Sequence, residues 1–178
     1  MNVDGGNLIQ LTASAGSNMP SISPDSRWII YQSPANGRLY RISIEGGEAV
    51  AVANKAVGAS AVSPDGKRIA YVCQAKDSWG IAINSFEGSP IMQLDVGARA
   101  FNNTSLKWSH DGKAVLYADN GDGVGNIWMR RLDGETAKQL TDFKADGLFR
   151  FDISSDGKNL VCSRGGWKHD AFLIRNLR

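Results

Sequence analysis

One four-residue phrase occurs four times along this chain: Ser23-Pro24-Asp25-Ser26, Ser63-Pro64-Asp65-Gly66, Ser109-His110-Asp111-Gly112 and Ser154-Ser155-Asp156-Gly157. The aspartates stand 40, 46 and 45 residues apart. A fixed period of this size is the signature of a repeat architecture, in which each unit buries its apolar face only against its neighbours. The phrase reads as a hairpin turn. Proline suits the second turn position because its φ is fixed, aspartate bonds back to the turn backbone, and glycine accepts the left-handed φ that closes the loop. Asp25, Asp65, Asp111 and Asp156 are therefore structural turn residues. Ser26 is the one residue other than glycine at the fourth position and carries mild strain.

Each turn follows an apolar residue (Ile22, Val62, Trp108 or Ile153) and leads into a strand. Those strands are Trp28-Ile29-Ile30-Tyr31, Arg68-Ile69-Ala70-Tyr71, Ala114-Val115-Leu116-Tyr117 and Asn159-Leu160-Val161-Cys162. Apolar or small residues at successive positions mean that both faces are covered, as stacked sheets require. A second unit follows: Leu39-Tyr40-Arg41-Ile42-Ser43-Ile44, Ile81-Ala82-Ile83-Asn84-Ser85-Phe86 and Ile127-Trp128-Met129-Arg130-Arg131-Leu132, each closed by acid-Gly. Shorter, more polar strands come last, as outer edges should. They are Ala49-Val50-Ala51-Val52, Ile91-Met92-Gln93-Leu94 and Ala137-Lys138-Gln139-Leu140-Thr141. One period is thus four strands with no helical stretch. That predicts an all-β fold, a β-propeller of four-stranded antiparallel blades, over a β-sandwich, which has no reason to repeat its turn chemistry at this period.

The blades are expected at about 13–52, 53–95, 96–141 and 142–178. The fourth unit ends in its third strand, at Phe172-Leu173-Ile174-Arg175-Asn176-Leu177-Arg178, while Asp4-Gly5-Gly6 and Leu8-Ile9-Gln10-Leu11-Thr12 read as the missing turn and outer strand. Residues 1–12 are therefore expected to complete the last blade, and the two ends to pair. Three assemblies fit: a closed four-blade ring, two chains self-associated head to tail into eight blades, or part of a larger propeller.

The Ser-Pro-Asp-Gly turns followed by Ile-Ala-Tyr, the strand start Asn126-Ile127-Trp128 and the endings Gln10-Leu11-Thr12 and Gln139-Leu140-Thr141 resemble TolB-type propeller repeats, distant cousins of WD repeats. The tail, from Ser163-Arg164-Gly165-Gly166 onward, is similar to the C-terminal propellers of bacterial serine/threonine kinases or winged-helix regulators. The resemblance implies a bacterial, periplasmic or extracytoplasmic binding and scaffolding module. The TolB protein itself contacts a peptidoglycan-associated lipoprotein, through a protein that also carries a helical domain not seen in this sequence. Two alternatives stay open: the sensor end of a membrane-bound kinase, or the accessory propeller of a serine peptidase.

Composition removes several other classes. A net charge of +2 and a pI near 8.6 are too mild for a nucleic-acid grip. No apolar run approaches the roughly 20 residues that cross a bilayer, so no membrane insertion is expected. Residues 1–6 carry neither the basic start nor the apolar stretch of a secretory leader. Two cysteines, Cys73 and Cys162, make no disulfide framework and read as buried structural residues. There is no Gly-x-Ser-x-Gly elbow and no phosphate loop. His110 occupies the proline slot of a turn and reads as exposed. His169, beside Asp170, reads as a loop contact because no nucleophile accompanies it. The run Asp119-Asn120-Gly121-Asp122-Gly123-Val124-Gly125-Asn126 is the one calcium-like stretch. Arg130 stands where an EF-hand needs its bidentate glutamate, so a plain loop is preferred. No enzyme activity, cofactor or metal is expected.

In an up-and-down blade, the first-to-second and third-to-fourth turns share one face, and these are the uniform ones. The second-to-third and blade-to-blade loops share the other face and vary: Ser33-Pro34-Ala35-Asn36-Gly37, 74–80, 96–105, 119–125 and 164–170. Diversity on one face of a rigid scaffold is how such a fold presents a site. A protein or peptide partner is therefore expected there, on Trp79, Arg99, Phe101, Asp122, Trp167 and His169, since Trp and Arg dominate interfaces. The competing reading, that Trp79 and Trp167 each cap their own blade, stays open.

Overall fold

A computed structural model describes the backbone of residues 6, 8–12, 17–74, 78–96, 101–154 and 156–166, and the side chains of all of these except 101–104. The structure is all-β. The first antiparallel sheet holds β1 (Asn18–Ile22), β2 (Trp28–Ser33), β3 (Arg38–Ser43) and β4 (Val50–Ala53), adjacent in that order. The second holds β5 (Ala56–Val62), β6 (Arg68–Gln74), β7 (Trp79–Ser85) and β8 (Pro90–Asp95). The third holds β9 (Phe101–Trp108), β10 (Ala114–Asp119), β11 (Asn126–Arg131) and the two-residue β12 (Lys138–Gln139). Among the described residues the fourth holds β13 (Gly147–Ile153) and β14 (Leu160–Gly165). First strands touch from sheet to sheet, β1 with β5, β5 with β9 and β9 with β13. They are the inner strands of a propeller, and the fourth strands lie outermost.

The core sits between sheets. Ile30, Leu39 and Val52 of the first meet Ile69, Tyr71 and Cys73 of the second. Val72, Ile81 and Ile83 meet Leu106, Trp108, Val115 and Tyr117 of the third. Leu116, Ala118 and Ile127 meet Leu148 and Phe151 of the fourth. This is why the second strands are apolar at successive positions: each has a sheet on both sides. The strand β14 departs from that pattern. Val161 is 68% exposed, and Cys162, expected to be buried, is only half-buried against the third sheet.

Every inner strand carries a bulge. One extra residue separates the Asn18–Gln32 and Ser21–Ile30 pairs, and one separates Leu148–Arg164 from Arg150–Ser163. Two are inserted between Ala56–Cys73 and Ser60–Tyr71, and three between Leu106–Tyr117 and Asn102–Ala118. Such insertions bend a strand and raise its twist. They correct one expectation: Phe101, Asn102 and Asn103 belong to β9 and not to a loop, because the bulge lets the strand resume pairing as far as Asp119. Residues 8–12, expected as an outer strand, carry no ladder, and Leu8 is 80% exposed. Their expected partner, 172–177, lies outside the described residues. The local chemistry of the motif persists even so: Gln10 Nε2 donates to the Thr12 carbonyl at 2.9 Å, as Gln139 Nε2 does to the Thr141 carbonyl at 2.6 Å.

Candidate functional site: a cleft on the variable-loop face

The four repeated turns share one hydrogen-bond scheme. In each, the serine hydroxyl donates to aspartate Oδ1 at 2.5–2.6 Å. That Oδ1 also accepts the N–H two residues on, at 3.0–3.1 Å. The serine oxygen accepts the N–H of the residue five positions on, Trp28, Arg68, Ala114 or Asn159. Accepting these donors holds all four carboxyls below the usual range, the serine hydroxyl contributing most and the backbone N–H next. The fourth positions are left-handed: Ser26 at φ +58°, Gly66 at +71°, Gly112 at +66° and Gly157 at +71°. Neighbouring turns meet, a Cβ at Gly112 falling 3.7 Å from Pro64 Cδ. This face is tiled by structural turns whose polar groups satisfy one another.

The opposite face has a recess. It lies between the loop after β10 and the segment that links β12 to β13, with β11 as its floor. Its cavity volume is about 410 Å³, and it is lined by Asp119, Asp122, Asn126, Trp128, Phe143 and Lys144, with Gly121 and Val124. Both walls are pinned. Asn126 Oδ1 accepts from Phe143 N at 2.8 Å and from Thr141 Oγ1 at 3.0 Å, while its Nδ2 donates to the Phe143 carbonyl at 3.2 Å. Thr141 Oγ1 in turn accepts the Ile127 N–H at 2.9 Å, so a side chain continues the ladder where β12 stops. In the loop, Asn120 copies a strand: Nδ2 donates to the Leu148 carbonyl at 3.1 Å and Oδ1 accepts the Leu148 N–H at 3.0 Å. Gly125 N–H reaches the Asp146 carbonyl at 2.9 Å, and Asp119 Oδ1 accepts the Gly121 N–H at 3.0 Å. Asp122 stands at φ +55°, a conformation aspartate adopts more readily than most residues.

Lys144 Nζ is 2.6 Å from Asp142 Oδ1, so its charge is matched within the rim. Asp119 and Asp122 are carboxylates of the recess lining. On the Phe143 wall the Arg164 guanidinium lies 3.6 Å from the ring centroid and donates to the Ala145 carbonyl.

Of the residues expected to form the binding surface, Asp122 lines this recess. Trp79 does not. It is the first residue of β7, half-buried and packed against the core between the second and third sheets, where β7 pairs it with Gln74. The Phe101 backbone pairs with Asp119 at the edge of the recess, and its side chain lies outside the described residues. Arg99, Trp167 and His169 lie outside them as well. Sequence reasoning missed Asn126, Trp128 and Phe143. Trp128 was legible only as a strand residue, and Phe143 sits in a link with no motif. Among the described residues, no three His, Cys, Asp or Glu side chains converge as metal ligands. Burial pushes the Cys73 thiol up, and His110 is exposed on its turn.

Repeated antiparallel sheets with their inner strands side by side, one tiled face and one recessed face define a β-propeller domain. The chain belongs to the TolB β-propeller family, whose sequence profile matches residues 1–177. A comparison with curated proteins finds no match. Among solved structures it is similar to TolB from Acinetobacter baumannii, with 22% identity and a TM-score of 0.70 over 83% of this chain and 37% of that one. It is similar to a putative TolB from Agrobacterium tumefaciens, with 19% identity and a TM-score of 0.51 over 84% of this chain and 70% of that one. It is also similar to hydrazine synthase from Kuenenia stuttgartiensis, with 22% identity and a TM-score of 0.62 over 89% of this chain and 44% of that one. The chain therefore spans less than half the length of two of these relatives. Likeness at this identity carries the fold alone.

Proposed function

We propose that this chain is a non-catalytic binding module, acting outside the cytoplasm, that holds a segment of a protein or peptide partner in the recess between β10, β11 and the link before β13. The observation that carries the reading is the recess itself. An aromatic floor and wall stand beside a few polar groups, and both walls are held by side-chain amides, so little ordering is left to occur on binding. Its volume suits side chains of a peptide better than a folded surface. Among the described residues, the repeated turns of the other face have their aspartate carboxyls and serine hydroxyls already engaged with one another. Family membership supports an extracytoplasmic setting and a role in binding.

The test is to select peptides from a random display library against the intact chain and to map the bound peptide by backbone amide shifts. Perturbations are expected at 119–128 and 141–146. Failure to select any peptide, or shifts concentrated on the four repeated turns, would overturn the reading.

A further inference from the structure

We propose that Asn36 is a site of spontaneous covalent modification. Its side-chain amide is lost by ring closure with Gly37, and the isoaspartate left behind loosens the joint between the first and second sheets. The proposal is independent of the recess and of any ligand there.

The reaction needs an asparagine whose Cγ can be reached by the backbone nitrogen of the next residue. Glycine is the most permissive successor, because no Cβ shields that nitrogen. The Gly37 nitrogen forms a bond to Asn36 Cγ, the Cγ–Nδ2 bond breaks, and the proton of the Gly37 N–H departs with Nδ2 as ammonia. The product is a five-membered succinimide. Water then opens the ring at either carbonyl. One opening gives aspartate, and the other gives isoaspartate, in which the main chain runs through the side-chain carbon. Water is the only co-reactant.

The chain contains two Asn-Gly pairs, Asn36-Gly37 and Asn120-Gly121, and the fold treats them differently. Both polar atoms of the Asn120 amide are bonded to the backbone of Leu148, 28 residues on, at 3.1 and 3.0 Å. Leu148 is wholly buried. Turning the Asn120 Cγ toward the Gly121 nitrogen therefore requires the third and fourth sheets to part. The Gly121 N–H is itself held by Asp119 Oδ1.

Asn36 is exposed, and its bonds stay inside its own hairpin. Its Oδ1 accepts the Arg38 N–H at 3.0 Å, and its Nδ2 donates to the Tyr40 hydroxyl at 2.9 Å, both in exposed positions. The Gly37 N–H donates to the Ser33 carbonyl at 2.9 Å. These partners all lie between Ser33 and Tyr40, so fraying of one surface loop frees the amide and the attacking nitrogen together. Gly37 stands at φ +63° with open space where a Cβ would be, so nothing crowds the ring as it forms.

The same loop carries a contact between sheets. The Ala56 N–H, at the start of β5, donates to the Gly37 carbonyl at 2.9 Å. Isoaspartate at position 36 adds a main-chain atom immediately before Gly37 and displaces that carbonyl. The modified chain therefore loses a tie between the first and second sheets on the variable-loop face, while the joint made by Asn120 is untouched.

The experiment incubates the intact chain in warm, mildly alkaline buffer and follows amide-to-acid conversion by peptide mapping and mass spectrometry. In the folded chain, conversion at Asn36 should outpace conversion at Asn120 by about tenfold or more, because only the latter needs two sheets to part. In denaturant the two sites should convert at rates within about twofold, since each has the same successor. Hydrogen exchange at Ala56 should accelerate in the isoaspartate form and stay near its original rate in Asn36→Asp, which has the new charge without the extra main-chain atom. Equal rates at the two sites in the folded chain, or faster conversion at Asn120, would overturn the proposal. So would an Asn36 that persists in the folded chain while it converts in denaturant. Unchanged exchange at Ala56 in the isoaspartate form would overturn the loosening of the joint.

Discussion

Gly125 shows how much one hydrogen atom can decide. A Cβ at this position would overlap the backbone nitrogen of Leu148 and the Oδ1 of Asn120, the two atoms that join the third and fourth sheets on the loop face. The glycine is required by close approach and not by a left-handed φ. Gly123, two residues earlier, is the opposite case: φ is +79° and nothing lies within 4 Å of an added Cβ. Gly125→Ala should therefore break the Asn120–Leu148 pair and overpack the joint, for a loss of about 3 kcal/mol. Gly123→Ala should cost only the backbone term, about 1 kcal/mol. Urea unfolding of the two variants measures the difference. Equal losses would mean that the loop yields freely at residue 125 and that the sheets are not joined there.

At the scale of the element, the turn is where local chemistry is most repetitive. Each Ser–Asp pair gathers a hydroxyl and backbone N–H groups from residues five or fewer apart in sequence, so the device is complete within the hairpin and was legible from the motif alone. The carboxyls are held below their usual range by those donors. A carboxyl whose folded pKa is lowered adds stability above its unfolded value, near 4, and that stability is lost as pH falls through the folded value. Thermal stability should thus decline from pH 6 to pH 3. Asp65→Asn, which cannot titrate, should lower stability at pH 6 and narrow the gap between the two pH values. A gap of unchanged width, read by melting at both pH values, would sink the role given to Asp65. The inner-strand bulges were not legible in the same way. They insert one to three residues among Asn18–Ile22, Ala56–Val62, Phe101–Trp108 and Gly147–Ile153; Gly58 lies inside the second, and the other three have no glycine within the bulge to announce them. The recess was hidden for a related reason. Its floor residue Trp128 and its wall residue Phe143 are joined by Asn126, whose amide reaches 17 residues along the chain, and no period marks that distance. Asp122 could be named beforehand because it stands in a loop that is both acidic and glycine-rich.

Across the whole molecule, stability is a sum of sheets and the joints between them, as in any repeat protein. The joints differ in chemistry. The first and second sheets are clamped by Arg41, whose guanidinium lies 5.0 Å from the ring centroids of both Trp28 and Phe86 and pairs with Glu87. The second and third are clamped by Arg68, which lies 4.9 Å over Trp108 and donates to the Gly112 carbonyl at 3.0 Å, while Trp108 Nε1 donates to the Ala61 carbonyl at 3.0 Å. The third and fourth use the Asn120 amide instead. Separate clamps make a local prediction. Arg41→Ala removes two cation–π contacts, each worth about 0.5–1 kcal/mol where partly exposed, and leaves the Arg68 and Asn120 joints untouched. Hydrogen exchange should then accelerate in β1–β4, with β9–β11 keeping their protection, because opening one joint does not require opening the next. Arg41→Lys should behave more like alanine than like arginine, since an ammonium cannot stack its plane between two rings. Uniform acceleration across all sheets would show instead that the sheets open as one cooperative unit, with no joint weaker than the rest.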